Sequence, residues 1–317
     1  SAMARLPDTQ AFLAVSDEGP YDPKTHTVDG ALFRLELGSG ADEADRVLPI
    51  TLHVTFDRFD PAWPAHVSPL DLESLAPLPG TRDLFLIGGE RNPEDQTDMG
   101  ANRLYLVRYP APDVRHARVV AYFRIQDLPD DLMNDRFEGL AVLPVETKEG
   151  EPAAWDVYAF KERTAFPDRP PGYVRGRLTR RGDAFDLAMH GDRGYPPLMP
   201  AFVLRDHERI TSQSDACRAP DDTIWILDRW RRQIHVAARE VEGGPLAYRR
   251  SLDYEAVVED IAGEHVPTEP APPGLPDRRG YGRHEAVVFD AEGRLILASD
   301  RGGSTASTVT VLERKTP

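Results

Sequence analysis

The chain has 317 residues, and 38 Lys and Arg against 53 Asp and Glu give it a formal net charge of −15 at pH 7. This acidic balance argues against nucleic acid as a partner, because phosphate backbones require basic surfaces, and against an anionic membrane surface. The single cysteine, Cys217, excludes an internal disulfide framework and any two-cysteine metal or redox motif. No apolar run approaches the ~18 residues of a membrane-spanning helix.

The first residues bear on the cellular compartment. Ser1 and Ala2, ahead of Met3, have the character of a protease-cleavage remnant. If Met3 is the native start, we expect a cytoplasmic protein. If a signal peptide was removed, we expect a secreted or periplasmic one.

Five segments repeat one pattern along the chain. Each consists of a short apolar strand, a turn, a second apolar strand and a closing acid, and in four of them an Arg follows directly. The segments are 11–18, which is a partial copy, 73–91, 137–163, 214–229 and 284–301. The closing acids follow one another by 66 to 73 residues, at Asp17, Glu90, Glu162, Asp228 and Asp300.

A near-constant period of strand-turn-strand units predicts an all-β protein with one β-propeller domain over 1–317, in which each repeat is a radial sheet. Five copies favour five blades, with a sixth, degenerate blade as the alternative. The two chain ends together leave half a period, which predicts a ring closed by the chain termini, one of them supplying a strand to a shared blade. Because a closed ring leaves few open strand edges, we expect a monomer.

The segment 253–283 departs from the repeat. Its first part, 253–263, has the pattern of a short helix that ends at Gly263, and the five prolines that follow it predict a loop. We therefore expect an inserted helix and loop on one face of the ring. Three other residues have structural interpretations: Trp155 and Trp225 pack between blades, and Cys217 is a small buried residue of an inner strand.

Acids recur where the first strand of four copies begins, at Glu73, Glu138, Asp215 and Glu285. The innermost strand of each propeller blade lines the central channel, so its first residue lies at one mouth. Carboxylates gathered there repel one another unless a cation or an arginine neutralises them, and Ca²⁺ prefers several oxygen ligands. The four acids are therefore candidate metal ligands, with salt bridges as the alternative.

Arginines occupy a second set of equivalent positions, directly after the closing acids: Arg91, Arg163, Arg229 and Arg301. A guanidinium group recognises phosphate and carboxylate bidentately, so these residues are candidate substrate-binding groups. The alternative is that each pairs with an acid of the next blade. His284 precedes Glu285 at the entrance of the last blade and is a candidate general base or metal ligand. With Glu138, it forms the candidate catalytic set.

The segment 137–144 (FEGLAVLP), followed by a strand that ends in Glu162 and Arg163, resembles the repeat of the phytase-like β-propellers, the group with esterase-like activity of phytase. The segment 285–301 is similar, and the likeness covers about a third of the chain. The resemblance implies a channel site with bound calcium and, in the true phytases, hydrolysis of phosphate monoesters by a metal-activated water. It implies the four repeated acids as ligands and the four arginines as phosphate clamps.

Three functions remain open, and with them the question whether the chain is an enzyme. The first is a metal-dependent hydrolase, with calcium as the expected metal, that cleaves a small anionic ester such as a phosphoester at the channel mouth. The second is a non-catalytic propeller that binds a protein partner or a small ligand through rim loops at 92–100, 127–136 and 254–283. The third is a propeller lyase or lactonase with one channel metal and His284 as base.

Overall fold

The computed structural model describes residues 2–16, 19, 21–22, 24–38, 45–54, 72–89, 102–110, 115–125, 137–161, 173–189, 213–228, 232–254, 283–300 and 308–312. Within these ranges the chain forms twenty β-strands and no helix. It follows that the described ranges contain no helix long and apolar enough to cross a bilayer.

The strands form five blades, each an antiparallel sheet that starts at the central axis. Blade 1 contains β1 (Ala2–Arg5), β2 (Ala11–Val15), β4 (Thr27–Glu36) and β5 (Arg46–His53), with the short β3 (Tyr21–Asp22) beside β4. Blade 2 contains β6 (Leu72–Pro77), β7 (Leu84–Gly89), β8 (Asn102–Arg108) and β9 (His116–Ile125). Blade 3 contains β10 (Phe137–Pro144), β11 (Ala153–Lys161), β12 (Tyr173–Arg181) and β13 (Ala184–Met189).

Blade 4 contains β14 (Asp215–Arg218), β15 (Ile224–Asp228), β16 (Gln233–Arg239) and β17 (Leu246–Asp253). Blade 5 contains β18 (Arg283–Phe289), β19 (Leu295–Asp300) and β20 (Thr308–Leu312). Each innermost strand contacts the innermost strands of the blades on both sides, in the order β1, β6, β10, β14, β18 and back to β1. The predicted all-β propeller with five blades is confirmed.

The ring is closed by the blades at the two chain ends, since β1 packs beside β18. Gln10 Nε2 also donates to Glu292 Oε1 at 2.6 Å across this junction. The strand that we expected the two ends to share is not found among the described strands, because β1 pairs with β2 and β20 pairs with β19. Among the described strands, closure therefore comes from the packing of β1 against β18 rather than from a strand common to both ends.

An unexpected seam joins the first two blades at their outer edges. β5 pairs with β9 in parallel over Thr51–His53 and His116–Arg118, so blades 1 and 2 form one nine-stranded sheet. The predicted insertion at 253–283 lies outside the described residues except for its ends, and the rim loops at 92–100 and 127–136 lie outside them entirely.

The hydrophobic core lies between blades, because alternate side chains of a strand point to opposite faces of its sheet. Trp155 of blade 3 is 4% exposed and donates Nε1–H to the carbonyl of Pro79 in blade 2 at 2.8 Å. Trp225 of blade 4 meets Phe289 of blade 5 edge to face, with ring centroids 4.9 Å apart. Both tryptophans pack between blades, as predicted.

A buried carboxylate ties blade 3 to blade 4. The Asp156 side chain is 2% exposed and accepts three donors: Arg177 Nε at 2.7 Å, Arg239 Nη1 at 2.6 Å and the backbone N–H of Gly243 at 2.7 Å. Arg239 Nη2 also donates to the Pro144 carbonyl at 2.9 Å. We call these groups the Asp156 clasp. It holds the β16–β17 turn against the adjacent blade.

Candidate functional site

The repeated acids occupy one special position in the innermost strands. The pairing of β6, β10 and β18 with the neighbouring strand skips one residue, and in each case the skipped residue is the acid: Glu73, Glu138 and Glu285. The fourth acid, Asp215 of β14, pairs with Leu227 of β15. The backbone N–H of the preceding residue, Ser214, donates to the carbonyl of the same Leu227 at 3.0 Å, so two residues of this strand lie opposite one. Such β-bulges re-aim a side chain and are common beside functional sites.

These acids are largely withdrawn from solvent. Glu73, Glu138 and Asp215 are 5%, 6% and 0% exposed, whereas Glu285 is partly exposed. A charged carboxylate is costly to bury without compensating partners. The bulged ends of the innermost strands therefore form an acidic mouth, which we define by Glu73, Glu138, Asp215 and Glu285.

Asp215 links two blades at this mouth. Its Oδ2 accepts the backbone N–H of Val287 in β18 at 2.8 Å, and its Oδ1 accepts the N–H of Ala216 at 2.7 Å. Burial raises the pKa of the Asp215 carboxyl well above its ordinary value, and the negative charge of Glu138 raises it further against the two N–H donors. Asp215 is therefore disposed to stay protonated at a pH where ordinary carboxyls are ionised.

The innermost strands of blades 3 and 4 approach each other closely beside these acids. A Cβ added at Gly139 would lie 2.8 Å from Ala216 N and 2.9 Å from the carbonyl carbon of Asp215. Only glycine leaves room for this approach. It brings the bulge that carries Glu138 next to the strand that begins at Asp215. The two acids are close enough for the negative charge of Glu138 to act on Asp215.

The donor chemistry of the acidic mouth fits a hard cation, because carboxylate oxygens are the ligands that Ca²⁺ prefers. Two observations set limits to this fit. Both oxygens of Asp215 already accept backbone N–H groups. In the described part of the chain, no three His, Cys, Asp or Glu side chains come together as a metal-holding group. Calcium ligation by the four acids stays a prediction, because the described side chains do not gather three of these acids around one point and Asp215 already has both oxygens engaged.

The four candidate anion-binding arginines lie outside the described residues. They are Arg91, Arg163, Arg229 and Arg301. The backbone of His284 lies in β18 opposite Ser299, directly before the bulge at Glu285. Its position at the entrance of blade 5 is therefore as expected, and its catalytic role stays a prediction.

One closing acid takes part in a structural network. Asp228 is fully buried, and its Oδ2 lies 3.5 Å from Nε2 of the fully buried His235. His235 Nδ1 lies 2.7 Å from Ser251 Oγ, which lies 2.8 Å from the Tyr248 hydroxyl. The serine is on β17, the strand of blade 4 that is farthest from the axis, so this Asp–His–Ser array stabilises the blade rather than facing the channel.

A cavity of about 320 Å³ opens at the other mouth of the ring, where the innermost strands end. Its walls come from the innermost strands of all five blades and are mostly apolar. Its ionisable groups are Arg5, Cys217, Arg218 and Asp290. Cys217, predicted to be buried, is partly exposed because it borders this cavity. Sequence reasoning missed Arg5, because the first repeat is too short to show its equivalent positions.

The strand order and the acidic mouth define the chain as a five-bladed β-propeller with carboxylates at the start of its innermost strands. No protein-family model matches the chain, and no curated protein matches it. No family membership is therefore established beyond the fold itself.

Solved propeller structures are similar to this chain at low identity. A putative oxidoreductase (glucose dehydrogenase) of Thermus thermophilus is 13% identical, with 98% of this chain and 95% of that chain covered and a TM-score of 0.44. Regucalcin of Agrobacterium tumefaciens, a calcium-binding protein, is 15% identical, with 97% and 77% covered and a TM-score of 0.30. A putative 6-phosphogluconolactonase of Bacteroides uniformis is 9% identical, with 96% of each chain covered and a TM-score of 0.38. Likeness this distant carries nothing about what this chain binds.

Proposed function

We propose that the chain is a metal-dependent hydrolase of a small anionic ester, with a phosphoester as the substrate class and calcium as the metal, and that catalysis takes place at the acidic mouth. One observation carries the proposal: carboxylates recur at the same bulged position of innermost strands that converge on one axis. Two of these three, Glu73 and Glu138, are almost fully buried, as is Asp215 in β14.

The charge of the mouth makes metal dependence part of the proposal. An anionic ester approaching these carboxylates, on a chain of net charge −15, is repelled unless positive charge intervenes. A cation would be held there by fewer than three carboxylates at a time, with Glu73, Glu138 and Glu285 as the candidates, because no three of the described acids come together; oxygens of water and of the ester would complete its coordination. A bound Ca²⁺ would neutralise the ester and lower the pKa of the attacking water. The candidate anion-binding arginines Arg91, Arg163, Arg229 and Arg301 would add further positive charge from equivalent repeat positions.

The chain's own residues supply the positioning and the proton chemistry. Asp215 fixes β14 against β18 through the N–H of Val287, and the close approach at Gly139 fixes the bulge that carries Glu138. The raised pKa of Asp215 favours a carboxyl that keeps its proton next to a second acid. His284, at the entrance of β18, is the proposed base.

The test is a hydrolysis assay on metal-stripped protein with p-nitrophenyl phosphate, bis-p-nitrophenyl phosphate and p-nitrophenyl acetate, with and without added Ca²⁺. We expect Ca²⁺-dependent cleavage of a phosphoester, a loss of at least about 100-fold in kcat/KM for Glu138→Gln, and wild-type activity for the exposed control Glu149→Gln. Loss of turnover in His284→Gln with Ca²⁺ binding retained assigns His284 as the base. No cleavage of any ester with any divalent ion, or full activity in Glu138→Gln, refutes the proposal.

A further inference from the structure

The cavity at the mouth opposite the acids has the size of a small organic molecule. Its volume of about 320 Å³ lies within the range of small-ligand pockets. At about 30 Å³ for each water-sized group, it accommodates roughly ten non-hydrogen atoms. Its walls include Met3, Leu75, Leu140, Val142, Val288 and Phe289, so most of that volume borders hydrocarbon.

Of the charged side chains that line this cavity, Arg5 is the one with no ion pair among the described residues. The Asp290 carboxylate is held by the Arg294 side chain at 2.5 Å and by the backbone N–H of Glu292 at 3.0 Å. Arg218 forms an ion pair with Asp222 through Nε at 2.5 Å. Arg5 is half-buried at the end of β1 and borders the cavity, and no carboxylate of the described residues pairs with it. A partly desolvated guanidinium group beside an apolar wall favours an anion with an apolar body.

We propose that this axial cavity binds a small organic carboxylate, whose carboxylate group pairs with Arg5 and whose hydrocarbon part lies against the apolar ends of the innermost strands. The site is distinct from the acidic mouth, because its residues lie at the opposite ends of the same strands. It requires no metal. It therefore holds or fails independently of the proposed hydrolase.

The only cysteine of the chain provides the readout, because Cys217 borders the cavity. Burial raises the pKa of the Cys217 thiol, so alkylation is expected to be slow and is followed at a high excess of N-ethylmaleimide. Intact mass then reports a single adduct. The probes are octanoate, which has about ten non-hydrogen atoms, and its neutral isostere octanamide.

We expect octanoate to slow the alkylation of Cys217 at least fivefold and to bind at least tenfold more tightly than octanamide, as measured by isothermal titration. Arg5→Gln should abolish the preference for octanoate, and Arg5→Lys should retain part of it. The matched control is Arg46→Gln, which removes the same charge from an exposed residue that pairs with Glu36 on blade 1. Unchanged melting without ligand shows that each variant is folded.

Three results overturn the proposal. One is alkylation that octanoate at millimolar concentration does not slow. Another is equal binding of octanoate and octanamide to the wild-type protein, since the cavity then recognises no carboxylate. The third is retention of the octanoate preference in Arg5→Gln, which assigns the charge recognition elsewhere.

Discussion

Replacement of Asp156 by Asn tests whether neighbouring blades are held by a buried charge. The variant keeps the size of the side chain but removes the negative charge that Arg177 and Arg239 share, and the amide cannot accept from all three donors. Breaking a buried ion pair costs about 3–5 kcal/mol. The two arginines are 26% and 18% exposed, so water recovers part of the loss. We expect the free energy of unfolding to fall by about 3 kcal/mol, at the lower end of that range.

The assay is equilibrium unfolding in urea at pH 7.5, with thermal melting as a second measure. At about 2 °C per kcal/mol, the value for large domains, the melting temperature should fall by about 6 °C. The control Asp8→Asn alters an ion pair with Arg82 whose side chains are 72% and 88% exposed, and we expect a change below about 1 kcal/mol. A loss in Asp156→Asn no larger than that of the control refutes the view that the Asp156 clasp holds blades 3 and 4 together.

Two further predictions concern the acidic mouth. Burial raises the pKa of Asp215 in the folded chain above the ordinary value of about 4. Between the unfolded and the folded pKa, the folded chain therefore binds more of a proton at Asp215 than the unfolded chain does. The contribution of Asp215 to the free energy of unfolding consequently falls as the pH rises through this range. In urea unfolding from pH 4.5 to 8, the Asp215→Asn variant should lack this fall. If the free energies of unfolding of variant and wild type differ by the same amount at every pH, the argument is wrong. Gly139→Ala should lower stability by about 1–3 kcal/mol, since its Cβ meets Ala216 N at 2.8 Å, and an unchanged melting temperature would show that the strands can separate.

The ring of five blades could be predicted because each blade repeats the same local chemistry. Two apolar strands with a turn between them recur at a near-constant period, and the innermost pairs β6–β7, β10–β11, β14–β15 and β18–β19 correspond to four of the repeats. The outer strands carry no such repetition. The parallel pairing of Thr51 with His116 has no local signal, because it joins residues that belong to different blades.

The acidic mouth was also predictable in part. The period places Glu73, Glu138, Asp215 and Glu285 at equivalent positions, whereas the bulges that hold three of them depend on pairing that a sequence does not display.

Contacts between distant residues were not predictable. Asp156 is an isolated acid within the otherwise apolar run 155–160, which marks it as unusual, but its partners Arg239 and Gly243 lie 83 and 87 residues away. The cavity at Arg5 depends on five strand ends that meet only once the ring has closed. Repetition therefore predicts what each blade contributes, and only the closed ring shows what the blades form together.

The most direct test of the acidic mouth is the melting temperature of metal-stripped protein with Ca²⁺, Mg²⁺, Mn²⁺ or Zn²⁺ added. Ca²⁺ at about 100 times its Kd stabilises the folded state by about 2.7 kcal/mol, and at about 2 °C per kcal/mol the melting temperature rises by about 5 °C. We expect this rise in the wild type and in Glu149→Gln, and its loss in Glu138→Gln. The absence of a shift with every ion would contradict the proposed metal site and leave the repeated acids as salt-bridge partners of the arginines.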